Sequence, residues 1–193
     1  MNTPAFIYDA VRTPRGKGKK DGSLHEVKPV DLFAGLLKGL EKKHDLDTSR
    51  VDDIIMGCVM PVGEQGTNMA KIAPMVAGWD ETVCGMQLDR FCASALEAVG
   101  LAAVKVMAGW EDMVVAGGVE SMSRVKISSL GGAWMDDPAT SIKTGFLPRE
   151  SLPTSLPPWR VFPARMWMTL PWGHKKKHRL PGKRGVLINP SSR

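Results

Sequence analysis

Residues 83–99 read VCGMQLDRFCASALEAV, an extended apolar segment that runs through Cys92 into a helix of small residues. Val83–Leu88 reads as a strand, and Ala93–Ala108 as a helix stopped by Gly109. Cys92 therefore falls at a helix N-terminus. Unpaired N–H groups and the helix dipole place about half a positive charge there. That field favours the thiolate, which is the nucleophilic form of the side chain. The helix carries only Glu97 and Lys105 as charges, so most of its circumference is expected to be buried. On spacing alone Cys92 reads more simply as an inert core cysteine.

Working outward, the same alternation recurs. Phe6–Val11 reads as a first strand. Pro29 suits a first helical turn, and Phe33, Leu36, Leu37 and Leu40 follow at helical spacing. Ile54–Met60 is a continuous apolar run, as expected of a strand buried on both faces. Gly63-Glu64-Gln65-Gly66 turns the chain, and Thr67 or Asn68 can cap a helix through Ala77, with Pro74 bending or shortening it. Met113–Ala116 is a further strand, ending in Gly117-Gly118, where the backbone can turn sharply or approach a neighbour closely. Strands alternating with helices predict an α/β fold, a mainly parallel sheet with helices on both faces. Sites in such folds gather at the carboxyl ends of strands. Cys92 and the Gly117–Ser123 loop both fall there, which raises the functional weight of Cys92.

Composition separates the chain into two parts. The 193 residues carry 26 Lys and Arg against 20 Asp and Glu. Residues 151–193 hold nine of the basic residues and no acid, so the first 150 residues have a net charge of −3. The same segment holds seven of the 14 prolines and three of the six tryptophans. The expected organisation is a core at 1–124, a less periodic segment at 125–150 and a basic, irregular tail at 151–193. Lys175-Lys176-Lys177-His178-Arg179 invites a salt-dependent nucleic-acid or anion contact, but a solvated tail is the simpler reading. His174 and His178 have no Glu between them and no helical pattern, so no metal is expected there. Gly16-Lys17-Gly18 completes neither phosphate-loop motif and reads as a solvated loop. Cys58, Cys84 and Cys92 show no CxxC spacing, which points to a reduced, cytoplasmic setting. No signal pattern and no membrane-spanning run are present.

Four stretches in order carry a family resemblance. They are Ala10-Val11-Arg12-Thr13-Pro14, the glycine turn within Gly57–Asn68, Arg90-Phe91-Cys92-Ala93-Ser94-Ala95-Leu96, and Val115–Ser123, read VAGGVESMS. Over roughly residues 4–150 the chain resembles the N-terminal half of the thiolase family. The resemblance implies a layered α/β fold built from two similar halves, of which this is one, with 125–150 opening a loop domain. It implies that Cys92 is the nucleophile and forms an acyl-thioester intermediate with an acyl-CoA. CoA or a second acyl-CoA then takes the acyl group, and no tightly bound cofactor is expected. The cofactor-binding residues are left open, and so are chain length and reaction direction. A homodimer, or association with a full-length thiolase, is the implied partnership. Neither specific nucleic acid nor membrane is expected as a partner.

Two departures from the pattern stand out. The family usually has Asn, Ser or Thr three residues before the nucleophile, and this chain has Asp89. An anion there opposes thiolate formation unless Arg90 pairs with it. The family's Gly-His-Pro histidine, Cys-x-Gly cysteine and Asn-Glu-associated histidine find no match in these residues; Gly173-His174-Lys175 is not Gly-His-Pro. Little or no turnover is therefore expected of this chain alone, with residual acylation of Cys92. The rival reading is a non-catalytic interaction module. The acid-free tail at 151–193 is expected to be either a disordered, solvated arm or the product of a frameshifted or truncated gene. Translating the source DNA beyond codon 150 in the other two frames should yield a Gly-His-Pro or Cys-x-Gly segment, and if neither frame does, the frameshift is refuted.

Overall fold

The computed structural model describes residues 4–145 and the strand Gly185–Ile188. In chain order the elements are β1 (Phe6–Ala10), α1 (Pro29–His44), β2 (Asp53–Gly57), α2 (Met69–Ala77), β3 (Cys84–Leu88), α3 (Ser94–Met107), β4 (Met113–Gly118), α4 (Ala133–Asp136), α5 (Pro138–Thr144) and β5 (Gly185–Ile188). The sheet has the order β1-β5-β4-β2-β3, and every pairing in it is parallel. The mainly parallel α/β fold read from the sequence is the fold observed.

All five residues of β2 are buried, as the apolar run requires of an interior strand. Its side chains alternate between two cores. Ile54 and Met56 join Phe33, Leu37 and Leu40 of α1 and Met69, Ala70 and Ala73 of α2. Ile55 joins Val114 and Ala116 of β4 and Ala98, Ala102 and Val106 of α3. The sheet thus separates α1 and α2 on one face from α3 on the other. Each fully buried Leu or Ile in such a core contributes about 1.5–3 kcal/mol relative to exposure.

α1 starts at Pro29, whose missing N–H costs nothing in a first turn. It ends with Asp45 in a left-handed C-cap, and its terminal Lys43 and His44 hold the Asp9 carboxyl well below the usual carboxylate range. α2 runs through Pro74 to Ala77. Its N-cap position is Asn68, but the Asn68 amide donates to the Gly85 carbonyl instead of capping. The Met69 N–H is met by the Gln87 side chain (2.7 Å).

α3 buries less of its circumference than its composition predicts. Ser94, Ala98, Ala102 and Val106 form the buried stripe, whereas Leu96 and Val104 are 71% and 60% exposed. The small residues let the helix lie close on the sheet. The larger ones face away from it, and no described residue covers them.

The chain divides into two compact units, residues 1–130 with 180–193, and residues 131–179. In the second, Asp137 caps α5 by accepting the Ala139 and Thr140 N–H groups, and Gly145 closes it in a left-handed conformation. The tail contributes β5, which pairs with both β1 and β4. The basic cluster at 175–179, His174 and His178 lie outside the described residues.

Candidate functional site

Two glycines decide where the first turn of α3 sits. A Cβ on Gly57, the last residue of β2, would lie 2.3 Å from the Ser94 carbonyl carbon and 2.4 Å from the Ala95 nitrogen. A Cβ on Gly118, the last residue of β4, would lie 2.7 Å from the Gly57 oxygen and 2.9 Å from the Ala95 Cβ. Bare backbone at the carboxyl ends of two adjacent strands lets the helix start press directly against them.

The turn feeding α3 is tied by short bonds. Phe91 is left-handed, with φ of 49°. Its N–H donates to Asp89 Oδ1 (2.7 Å), and its carbonyl accepts from the buried Ser94 hydroxyl (2.6 Å). Ser94 Oγ also accepts the Arg90 N–H (2.8 Å). Cys92 rides on the outside of this turn and is exposed, so the simple reading of a core cysteine is overturned. Arg90 does not pair with Asp89; its guanidinium reaches Glu97 in the first turns of α3 (2.8 Å).

Cys92 opens onto a cleft of about 670 Å³. Its walls come from the loop after β1 (Arg12 to Gly16), from Leu32, Phe33 and Leu36 of α1, from Gly57 and Val59, and from Gly118–Glu120 with Met122. The chain's resembling stretches thus converge on one cleft, although the first and the last lie more than a hundred residues apart. The Gly16–Lys20 segment shows no built anion site: Lys17 pairs with Asp21 (2.6 Å) in an exposed loop.

Behind the cleft lies a polar scaffold that the sequence reading missed. Gln65 is fully buried. Its amide donates to Glu120 Oε1 (2.6 Å) and to the Met60 carbonyl (3.0 Å), and its oxygen accepts the Ser121 N–H (2.6 Å). Glu120 Oε2 accepts the Val59 N–H (2.7 Å). One side chain therefore fastens the loop after β2 to the loop after β4. Arg124 adds a second fastening, bidentate on Glu64 (2.6 and 2.9 Å) and donating to the His25 carbonyl (2.7 Å). Arg124 accordingly holds the Glu64 carboxyl below its ordinary value. The only advance signal was a polar Gln inside a glycine turn, next to an apolar run.

The three cysteines sit in unlike surroundings. Cys58 is 1% exposed, and burial, followed by the nearby Glu120 charge, pushes its thiol up to about 12. Cys84 is exposed on β3, remote from the cleft walls, and Cys92 is the cysteine that lines the cleft. Among the described residues no three His, Cys, Asp or Glu side chains gather as a metal-ion site. No described helix is long and apolar enough to cross a membrane.

A parallel sheet with helices on both faces, its strand ends backing a cysteine-bearing turn, defines a thiolase-like N-terminal domain. The profile of the thiolase N-terminal domain matches residues 5–142, and the chain belongs to the thiolase family through that domain. It is 43% identical over 127 residues to a steroid 3-ketoacyl-CoA thiolase of Mycobacterium tuberculosis, across 66% of this chain and 31% of that protein. It is 44% identical over 121 residues to a 3-ketoacyl-CoA thiolase of Bacillus subtilis, across 63% and 31%. A β-ketoadipyl-CoA thiolase of Pseudomonas aeruginosa is 43% identical over 125 residues, across 64% and 31%. The crystal structure of the Bacillus anthracis acetyl-CoA acetyltransferase superposes with a TM-score of 0.59 at 33% identity, covering 64% of this chain and 30% of that one. The chain thus spans less than a third of the length of these relatives.

Proposed function

We propose that this domain carries the acyl-accepting half of a thiolase-type acyltransferase, with Cys92 as nucleophile. The observation that carries the reading is the exposed Cys92 on a glycine-backed turn that opens into a cleft. The Cys92 sulfur attacks the thioester carbonyl of an acyl-CoA, CoA leaves as its thiol, and the acyl group stays on sulfur. The Cys92 N–H, in the turn entering α3, is the natural donor to the tetrahedral oxyanion. The relatives named above act on 3-ketoacyl-CoA and β-ketoadipyl-CoA substrates, and an acyl-CoA is the corresponding substrate here. No Gly-His-Pro or Cys-x-Gly segment occurs in these 193 residues, so the proposal is confined to acyl transfer onto Cys92.

The test is peptide-resolved mass spectrometry after exposure to acetyl-CoA. The expected result is an acetyl group on Cys92, none on buried Cys58, and far less on Cys84, which is exposed but outside the cleft. Cys92→Ala should abolish the adduct. A wild-type chain that takes no acetyl group, or equal labelling of Cys84 and Cys92, overturns the reading.

A second reading, association with a full-length thiolase, is favoured by the exposed Leu96 and Val104 on α3. Leu96→Glu and Val104→Glu should then reduce co-sedimentation with that partner while leaving Cys92 acetylation intact. Unchanged co-sedimentation sinks it.

A further inference from the structure

We propose that Asp89 is the positioning residue of the nucleophile turn, acting as a hydrogen-bond acceptor and not through its charge. This rests on the reading of Cys92 as acyl acceptor. Phe91 is a non-glycine residue in the left-handed region, a conformation that L side chains rarely adopt and that surrounding bonds must hold. The Phe91 N–H points to Asp89 Oδ1 at 2.7 Å, closing a side-chain turn two residues long. The same Oδ1 lies 3.4 Å from the Ser94 hydroxyl, which bonds the Phe91 carbonyl and the Arg90 N–H. Asp89 and Ser94 therefore grip Phe91 from its nitrogen and its carbonyl, and Cys92 is the next residue along.

The charged groups around this turn do not make Asp89 an ion-pair partner. Arg90, its neighbour, is committed to Glu97. Arg12 and Glu120 also line the cleft, and Glu120 is engaged by Gln65 and the Val59 N–H. What Asp89 supplies is an oxygen at hydrogen-bond distance. An Asn side chain supplies the same oxygen in the same place without the charge.

The experiment uses the full chain with Asp89→Asn and Asp89→Ala, read by residue-resolved amide hydrogen exchange and by Cys92 acetylation from acetyl-CoA. Ile55, fully buried in β2, reports global opening. Relative to Ile55, the Phe91 amide should exchange about tenfold faster in Asp89→Ala, as expected when one hydrogen bond is lost. In Asp89→Asn it should stay within about threefold of wild type. Acetylation should follow the same order, slowed in the Ala variant and restored by Asn. The proposal is overturned if the Ala variant leaves Phe91 exchange unchanged, or if Asn behaves as Ala does. Should the Ala variant not fold, the Asn variant decides: a protected Phe91 amide supports the proposal and an unprotected one overturns it. A wild-type chain that takes no acetyl group refutes the acyl-acceptor reading, while the exchange result still judges Asp89.

Discussion

Gly57→Ala is expected to cost roughly 3 kcal/mol of unfolding free energy and to abolish acetylation of Cys92. The reason is space, because Gly57 lacks the positive φ that would make any side chain strained. The added methyl would sit 2.3 Å from the Ser94 carbonyl carbon, 2.4 Å from the Ala95 nitrogen and 2.6 Å from the Ser94 oxygen. These are backbone atoms and cannot rotate aside. Gly57 itself cannot retreat, since it is paired with Leu88 on one side and Gly118 on the other. The start of α3 must lift, and it carries the Cys92 turn with it. Gly35 provides a comparison of opposite sign. It lies on the exposed face of α1 with nothing within 4 Å of an added Cβ, so Gly35→Ala should stabilise by about 0.5–1 kcal/mol. Urea unfolding of both variants checks the pair. A Gly57→Ala protein as stable as wild type, still acetylated on Cys92, defeats the packing argument.

That contrast shows which parts of the molecule were legible in the sequence. The run Ile54-Ile55-Met56 announced a strand buried on both faces because adjacent residues of a strand feed opposite cores, and both were apolar. The Phe33, Leu37 and Leu40 spacing announced the buried face of α1 for the same kind of reason. The position of Cys92 at a strand-to-helix turn was legible too. Its exposure was not, because exposure depends on a left-handed Phe91, on Ser94 reaching back to Arg90, and on two glycines some 25 to 35 residues away in the chain. Asp89 looked awkward when judged as a charge beside a nucleophile. In the fold its carboxylate is an acceptor for the turn, a role the expected Asn, Ser or Thr can also fill with a side-chain oxygen. Gln65 and Glu120 are 55 residues apart, and no local pattern pairs a glutamine in one loop with a glutamate in another. Local periodicity reports which face a residue takes; it carries no record of which distant polar group will meet it.

At the opposite end of the strands, Lys105→Ala should destabilise the domain by about 3–5 kcal/mol at neutral pH. Lys105, in the last turn of α3, places its ammonium 2.6 Å from Asp53 Oδ2 and 2.6 Å from Glu111 Oε1. All three side chains are largely buried, and the ammonium also lies 5.3 Å from the centre of the Trp110 ring. Asp53 Oδ1 and Glu111 Oε2 are buried without a hydrogen-bond partner, so the lysine is what balances two carboxylates there. Burial opposes the charge of Lys105, yet its bonds to Asp53 and Glu111 outweigh that and raise its pKa. Burial also raises Glu111, with Lys105 working against it. The sign of the pH dependence follows. A carboxyl whose folded pKa is raised binds protons on folding, so folding gains stability as pH falls through the window between its unfolded and folded values. Removing Lys105 takes away the group that restrained this rise and widens the window. The deficit of Lys105→Ala against wild type should therefore shrink between pH 7 and pH 5. Lys105→Met keeps much of the aliphatic stem and should lose nearly as much as Ala, because the lost charge dominates the lost packing. Urea unfolding of both variants at the two pH values measures this. A deficit below about 1 kcal/mol, the scale of an exposed pair, or one that does not change with pH, would show that the carboxylates find other compensation.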